Sequence, residues 1–263
     1  MKNSIKMVVT DMDGTLLNSK KELPVETMEV IDKLLAKGVM FVIASGRQYF
    51  NLHKKLNERD DIIYLAENGC YISKDGKLFR FKALKFESIK RILDTIKDIE
   101  NAYPILCGKK GAYTTKMNKI TSEHFTQYYA KIEIVNNFDE IDDEICKISI
   151  LDLNGTEKYV YPLLNEFYDD FNVTVASHEW LDIIDRNTNK GSALEILQQR
   201  LGIKKEETMA FGDYFNDYEM LQVAGESYAM QEAHDEIKKI TKYVIGSNDD
   251  NSVIKTIKEK FNI

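Results

Sequence analysis

The stretch KMVVTDMDGTLLN, residues 6–18, decides how this chain is read. Met7, Val8 and Val9 form an apolar run of the kind that makes a buried strand. The run ends on Asp11 and Asp13, one residue apart, followed by Gly14. Two carboxylates this close repel each other unless something positive lies between them. The next segments show what the strand belongs to. Residues 24–38, PVETMEVIDKLLAKG, have helical spacing, with Pro24 suited to the start, Gly38 to the end, and Val30, Leu34 and Lys37 on one face. VMFVIAS at 39–45 is a second apolar run without alternation, as a parallel strand covered on both faces reads. A helix over 47–56 and a third run, IIYLAE at 62–67, continue the series. Strand, helix, strand, helix, strand predicts an α/β fold: a Rossmann-like, doubly wound parallel sheet with right-handed crossovers.

The pattern returns near the C-terminus. GSALEILQQRLGI places Leu194, Leu197 and Leu201 on one helical face before Gly202, and TMAFGD, SYAM and KYVIGS supply three more short strands. Between the two halves the texture changes: the strands EICKISILDL and VTVASHEWLDIID are longer, and tyrosines are more frequent. An inserted α+β domain over 84–185, interrupting a core made of 1–83 and 186–263, is the expected organisation.

Composition limits the functions available. The 263 residues are 43% hydrophobic and 30% charged, an ordinary globular balance. Lys plus Arg number 36 against 43 Asp plus Glu, a net charge of -7, so no global field draws the chain to nucleic acid or anionic membrane. Any anion must be held locally. Cys70, Cys107 and Cys146 show no metal-binding spacing and read as reduced structural thiols. The apolar N-terminal segment is cut by Asp11 and Asp13, unlike a signal peptide, and VMFVIA is too short to span a bilayer, so the cytoplasm is the expected compartment.

In an open parallel sheet, ligands bind beyond the carboxyl ends of the strands. Four segments are expected to meet there: DMDGT after the first strand, SGR after the second, NK opening the helix after the insert, and GDYFND after a later strand. They bring together Asp11, Asp13, Asp213 and Asp217 with a lysine and a serine. Hard oxygen donors without histidine suit Mg²⁺, and a dication among the carboxylates answers the repulsion between them. Ser45 also reads as an N-cap for the helix that follows, Lys190 as a solvated helix lysine, Asp217 as a helix-start carboxylate, and Arg47 as either a substrate contact or a surface arginine. The four histidines have no ligand spacing; His178, Glu179, Trp180 and the pair Cys107–Gly108 are candidates for lining a pocket.

DMDGTLL, ASGR, NKGSAL and GDYFND resemble the four motifs of the haloacid dehalogenase superfamily, in the order of its Cof-type sugar-phosphatase branch; ENG at 67–69 and AM at 229–230 fit that branch as well. The resemblance implies that 84–185 is a type IIB α/β cap that sets substrate specificity. It implies a Mg²⁺-dependent phosphatase acting on a small phosphorylated metabolite. Asp11 would be the nucleophile and a metal ligand, and Asp13 the proton donor and acceptor, with its carbonyl on the metal. Asp213 would be the third metal ligand. The Met12 amide, Ser45, Gly46, Lys190 and Asn216 would hold phosphate, Lys190 also neutralising the transition state. Asp217 would stand behind the metal and Lys190, and Arg47 would contact substrate. A phosphomutase or phosphotransferase on the same scaffold and a non-catalytic phosphate binder are the alternatives. Gln231 and Glu232 stand where the branch usually has Gly-Asn, and Asn251 and Ser252 where DGV is common.

Overall fold

The computed structural model describes residues 4–263. Strands β1 (Met7–Thr10), β2 (Met40–Ala44), β3 (Ile63–Ala66), β4 (Tyr71–Lys74) and β5 (Lys77–Phe81) come first. They are followed by β6 (Tyr103–Gly108), β7 (Ala112–Thr114), β8 (Ile132–Ile134), β9 (Ile145–Leu151), β10 (Phe171–Val175) and β11 (Trp180–Asp185). Strands β12 (Thr208–Gly212), β13 (Glu226–Ala229) and β14 (Tyr243–Val244) close the chain.

The larger sheet has the order β14-β13-β12-β1-β2-β3-β4-β5. Its first six strands are parallel, and β4 and β5 add an antiparallel edge. β1 lies at the centre, flanked by β2 on one side and β12 on the other, and is buried throughout. Burial on both faces explains the unbroken apolar runs that mark these strands in the sequence. In the helix Thr27–Ala36 the buried side chains are Thr27, Val30, Ile31 and Leu34, while Lys37 is an exposed C-terminal cap and leaves the predicted face. The helix over 47–56 is shorter than expected, Tyr49–Lys55, with Gln48 as its N-cap, so Ser45 caps nothing there.

The second sheet has the order β10-β11-β9-β6-β7-β8. The stretch VTVASHEWLDIID is not one strand: it folds into the antiparallel pair β10 and β11 around residues 176–179. Alternation in β9 and β11 gives this sheet two unlike faces. Ile148, Ile150, Leu181 and Ile183 pack with Ile89, Ile92 and Phe167 into an apolar core. Lys147, Ser149, Trp180 and Asp182 fall on the other face and line a cavity that also reaches Asp11 and Asp213. No helix among the described residues is long and apolar enough to cross a membrane.

Candidate active site

The order of connection reverses where β1 and β12 lie side by side, and a crevice opens there beyond the strand ends. The Asp11 amide donates to the Phe211 carbonyl (3.0 Å), so Asp11 leaves the sheet beside Gly212 and Asp213. The chain turns at once. The Leu16 and Leu17 amides donate back to the Asp11 and Met12 carbonyls at 3.3 and 2.8 Å, while the Met12 side chain is buried in the main core. Gly14 has a φ of +84°, and a β-carbon there would collide with the Asp213 carboxylate. Thr15 donates its hydroxyl to Asp213 Oδ1 at 2.9 Å, tying the first motif to the last.

Lys190 opens the helix Lys190–Leu201, whose N-cap Asn189 exchanges hydrogen bonds with Ser192 in a capping box. Its side chain is fully buried and ends 2.6 Å from Asp11 Oδ1 and 2.7 Å from Asp217 Oδ1. The solvated reading of this lysine is therefore excluded. Asp217 is also fully buried, and its Oδ2 accepts from the Asp213 and Tyr214 amides at 3.0 and 3.4 Å.

One lysine serves three carboxylates here. Oxygens of Asp11, Asp213 and Asp217 lie within 4.8 Å of one another. Burial pushes the Asp11 carboxyl above its ordinary range; Lys190 opposes this, and Asp217 and Asp213 add to it. Burial, reinforced by Asp217, likewise pushes Asp213 up to about 7. The cluster carries more negative charge than Lys190 offsets, which is the environment a dication relieves. Oxygen donors alone and few carboxylates fit Mg²⁺. Asp217 already spends both oxygens on Lys190 and the amides, leaving Asp11 and Asp213 as the side chains available to a metal.

Asp13 lies outside that cluster through its side chain. Arg47 grips it with two bonds, Nε to Oδ2 at 2.5 Å and Nη2 to Oδ1 at 2.8 Å, and Lys21 stands 3.0 Å from Oδ1. Burial would raise this carboxyl, but Arg47 and Lys21 outweigh it and hold the group down to about 2. Arg47 is neither exposed nor helical, which corrects the surface reading. It is buried, donates to the Gln127 carbonyl (2.6 Å) and Asn51 Oδ1 (3.1 Å), and lies over the Tyr128 ring.

Ser45, Gly46 and Asn216 line the same cavity of about 360 Å³ as Asp11 and Asp13. The Ser45 hydroxyl accepts from the Arg47 amide at 3.2 Å. The turn Glu67–Asn68 is bound to this loop, the Glu67 amide donating to the Arg47 carbonyl and the Asn68 amide to that of Ser45. Both residues have left-handed backbones, φ +51° and +54°, a conformation that costs energy without glycine and is kept where geometry matters.

Sequence reasoning assigned no role to Glu67, Asn68, Lys147, Ser149 or Asp182, yet all five meet at this site. Buried Lys147 reaches from β9 to within 2.7 Å of Glu67 Oε2 and donates to the Gly46 carbonyl at 2.7 Å. Burial works against its ammonium, but Asp182 and Glu67 overcome that and hold it well above the lysine range. The sequence signals were the ENG turn at 67–69, noted without a role, and a lysine inside a mostly apolar strand. Of the weaker candidates, Trp180 lines the cavity, Glu179 pairs with His124 at 3.1 Å, and His178 packs over Gly155. Cys107 is buried beside Ser149 and Tyr129. Gln231 and Glu232 supply no cavity wall. Glu232 instead accepts from the Asn248 amide (3.0 Å), and Asn248 in turn donates to the Leu17 carbonyl (2.8 Å), bracing the loop after Asp11. Asn251, left-handed, and Ser252 start the last helix.

Residues 8–257 match the haloacid dehalogenase-like hydrolase family. The chain belongs to that family. Within it, the chain is 33% identical to a 5-amino-6-(5-phospho-D-ribitylamino)uracil phosphatase of Escherichia coli, over 97% of this chain and 95% of that one. It is 25% identical to a Bacillus subtilis phosphatase, over 97% and 99% of the two chains. Among solved structures, SMU.1108c of Streptococcus mutans superposes with a TM-score of 0.88 at 27% identity, covering 99% of this chain and 100% of that one. TM0651 of Thermotoga maritima gives 0.84 at 27% identity, with 97% of each chain covered. These relatives and the order of the motifs place the chain among the Cof-type haloacid dehalogenase-like phosphatases.

Proposed function

We propose that this phosphatase hydrolyses phosphate monoesters of small metabolites, sugar phosphates above all, through an aspartyl-phosphate on Asp11 with Mg²⁺ as cofactor. The observation that carries the reading is the buried Lys190, held between Asp11 and Asp217 with Asp213 adjoining. A phosphate binder has no need of a nucleophile-grade carboxylate presented beside a lysine and a second, separately tuned aspartate. The Escherichia coli relative, named for a phosphorylated ribityl compound, supports a polyol or sugar phosphate as the substrate class.

In this mechanism an Asp11 oxygen bonds to phosphorus as the bond from phosphorus to the ester oxygen breaks, and Asp13 gives that oxygen a proton. Water then attacks phosphorus, Asp13 takes its proton, and inorganic phosphate leaves with Asp11 restored. Asp13 must exchange Arg47 for its proton, and the incoming phosphate offers Arg47 another anion to hold. Lys190 neutralises charge on the transferring group; the Met12 and Gly46 amides, Ser45 and Asn216 orient its oxygens. Asp11 and Asp213, with the Asp13 carbonyl, would hold Mg²⁺. The ion would supply positive charge against the phosphoryl oxygens. Asp217 orients Lys190. Residues 84–185 act as a cap that excludes water and meets the leaving group. The three free, buried cysteines suit a reducing cytoplasm.

A phosphate-release screen over phosphorylated metabolites is expected to give turnover with Mg²⁺ and none after chelation. Release that persists at full rate in chelator would remove the metal from the scheme. Asp13→Asn is expected to slow sugar-phosphate hydrolysis about 10²- to 10⁴-fold, the range of general acid–base catalysis. Activated aryl phosphates, whose leaving groups need no proton, should lose less. Equal losses on both ester types would count against Asp13 as the acid.

A further inference from the structure

The cavity face of the second sheet carries a polar group that the reaction itself does not require. Asp182 on β11 lies directly opposite Ser149 on β9 in the antiparallel pair. Its Oδ1 accepts the Ser149 hydroxyl at 2.5 Å, and its Oδ2 accepts Asn68 Nδ2 at 3.1 Å and Lys147 Nζ at 3.3 Å. An ionised carboxylate offers about four acceptor positions. Three are taken, and the side chain keeps 9% exposure, which opens onto the cavity that holds Asp11. Ser149 gives its proton to Asp182, which leaves its oxygen an acceptor, and it lines the same cavity.

A buried ionic cluster of this kind is poor value for stability, since apolar residues of similar volume do as well or better. Leu151, next after Ser149 on the same face of β9, packs with Trp180 in an apolar cluster and shows that this face accepts such side chains. A cavity wall with two adjacent acceptors and a spare lone pair calls for a ligand that brings donors. Asn68 links the wall to the phosphate end, because its Oδ1 lies 3.5 Å from Asn216 Nδ2. The donors therefore belong to the part of the ester next to the phosphate. Trp180 adds an apolar wall beside them, suited to the carbon face of the same group.

We infer that Asp182, with Ser149 beside it and Lys147 fixing it in place, is the specificity-determining carboxylate of this site: it accepts hydroxyls of the leaving group and selects phosphorylated polyols and sugars over esters that lack hydroxyls near the phosphate. The inference rests on the phosphatase reading of the preceding section.

The test compares kcat/KM, by phosphate release in Mg²⁺, for an alditol phosphate and the alkyl phosphate of the same chain length. The quantity read is the ratio of the two, in which any loss common to both esters cancels. Wild type is expected to prefer the alditol ester. Asp182→Ala should cut that preference roughly tenfold to a hundredfold, the worth of hydrogen bonds to a charged group. The change should fall mainly on KM. Should Asp182→Ala fail to fold with Lys147 short of a partner, Asp182→Asn keeps the shape, and Ser149→Ala keeps the Lys147–Asp182 pair. Both should shift the ratio the same way by a smaller factor. An unchanged ratio in variants that still release phosphate overturns the inference and leaves the phosphatase reading standing. So does a wild type that hydrolyses both esters equally. A wild type that releases phosphate from neither ester nor from an aryl phosphate overturns the phosphatase reading and the inference with it.

Discussion

Asp11→Asn is expected to lower turnover by about 10⁴-fold or more, the scale on which removal of a covalent nucleophile is felt, while leaving the fold intact. The structure says why the second half should hold. Asparagine has the shape of aspartate, and its oxygen can still accept from Lys190, which stands 2.6 Å from Asp11 Oδ1. The substitution also removes a negative charge that burial, Asp217 and Asp213 all disfavour. Thermal unfolding should therefore occur at or slightly above the wild-type temperature. Both quantities are simple to measure, by phosphate release and by the unfolding midpoint. Near-normal Mg²⁺-dependent release in the variant would refute the aspartyl-phosphate mechanism.

Lys190→Met should do the reverse to the fold. Methionine fills the space, but Asp11 and Asp217 then face each other in a fully buried position with no cation between them. Removing one partner from a buried ion pair costs about 3–5 kcal/mol. At roughly 2–4 °C per kcal/mol for a chain of this size, the midpoint should fall by about 10 °C. Adding Asp217→Asn should recover part of the loss, because the two sites share one network and their effects cannot be additive. A midpoint within a degree or two of wild type would show that the lysine contributes little to the fold. Turnover should fall in either case, since the transferring phosphoryl group loses its buried cation.

The parts of this chain that were legible in the sequence are those with a local signature. β1, β2 and β3 are apolar runs because both faces of the central sheet are covered. The helix Lys190–Leu201 is framed by a capping box at one end and a left-handed Gly202 at the other, and both ends can be read from residue types alone. What escaped lacks such marks. The turn between β10 and β11 contains neither glycine nor proline, only Ala176 to Glu179, so two strands read as one. Arg47 could be read either as a substrate contact or as a surface arginine, because the partners that bury it are mostly remote: Asp13 is 34 positions away and the Gln127 carbonyl 80. Lys147 and Asp182 read as polar interruptions in apolar strands. Their meaning depends on Gly46, Glu67 and Asn68, which come from the other sheet's loops.

The two unlike faces of β9 and β11 have a consequence for how such a protein can diversify. Odd positions 147 and 149 on β9 and even positions 180 and 182 on β11 look toward the cavity, while their immediate neighbours hold the sheet to its own core. On the proposal that Asp182 reads the leaving group, substrate preference and folding are written on interleaved residues of the same two strands. A lineage that kept the buried Lys147 contacts could vary the other cavity-side positions and change what the enzyme accepts, while the packing on the opposite face stays in place. The aspartates at the ends of β1 and β12 come from a separate sheet, and Lys147 and Asp182 are the ties between that site and the varied wall, through Gly46, Glu67 and Asn68.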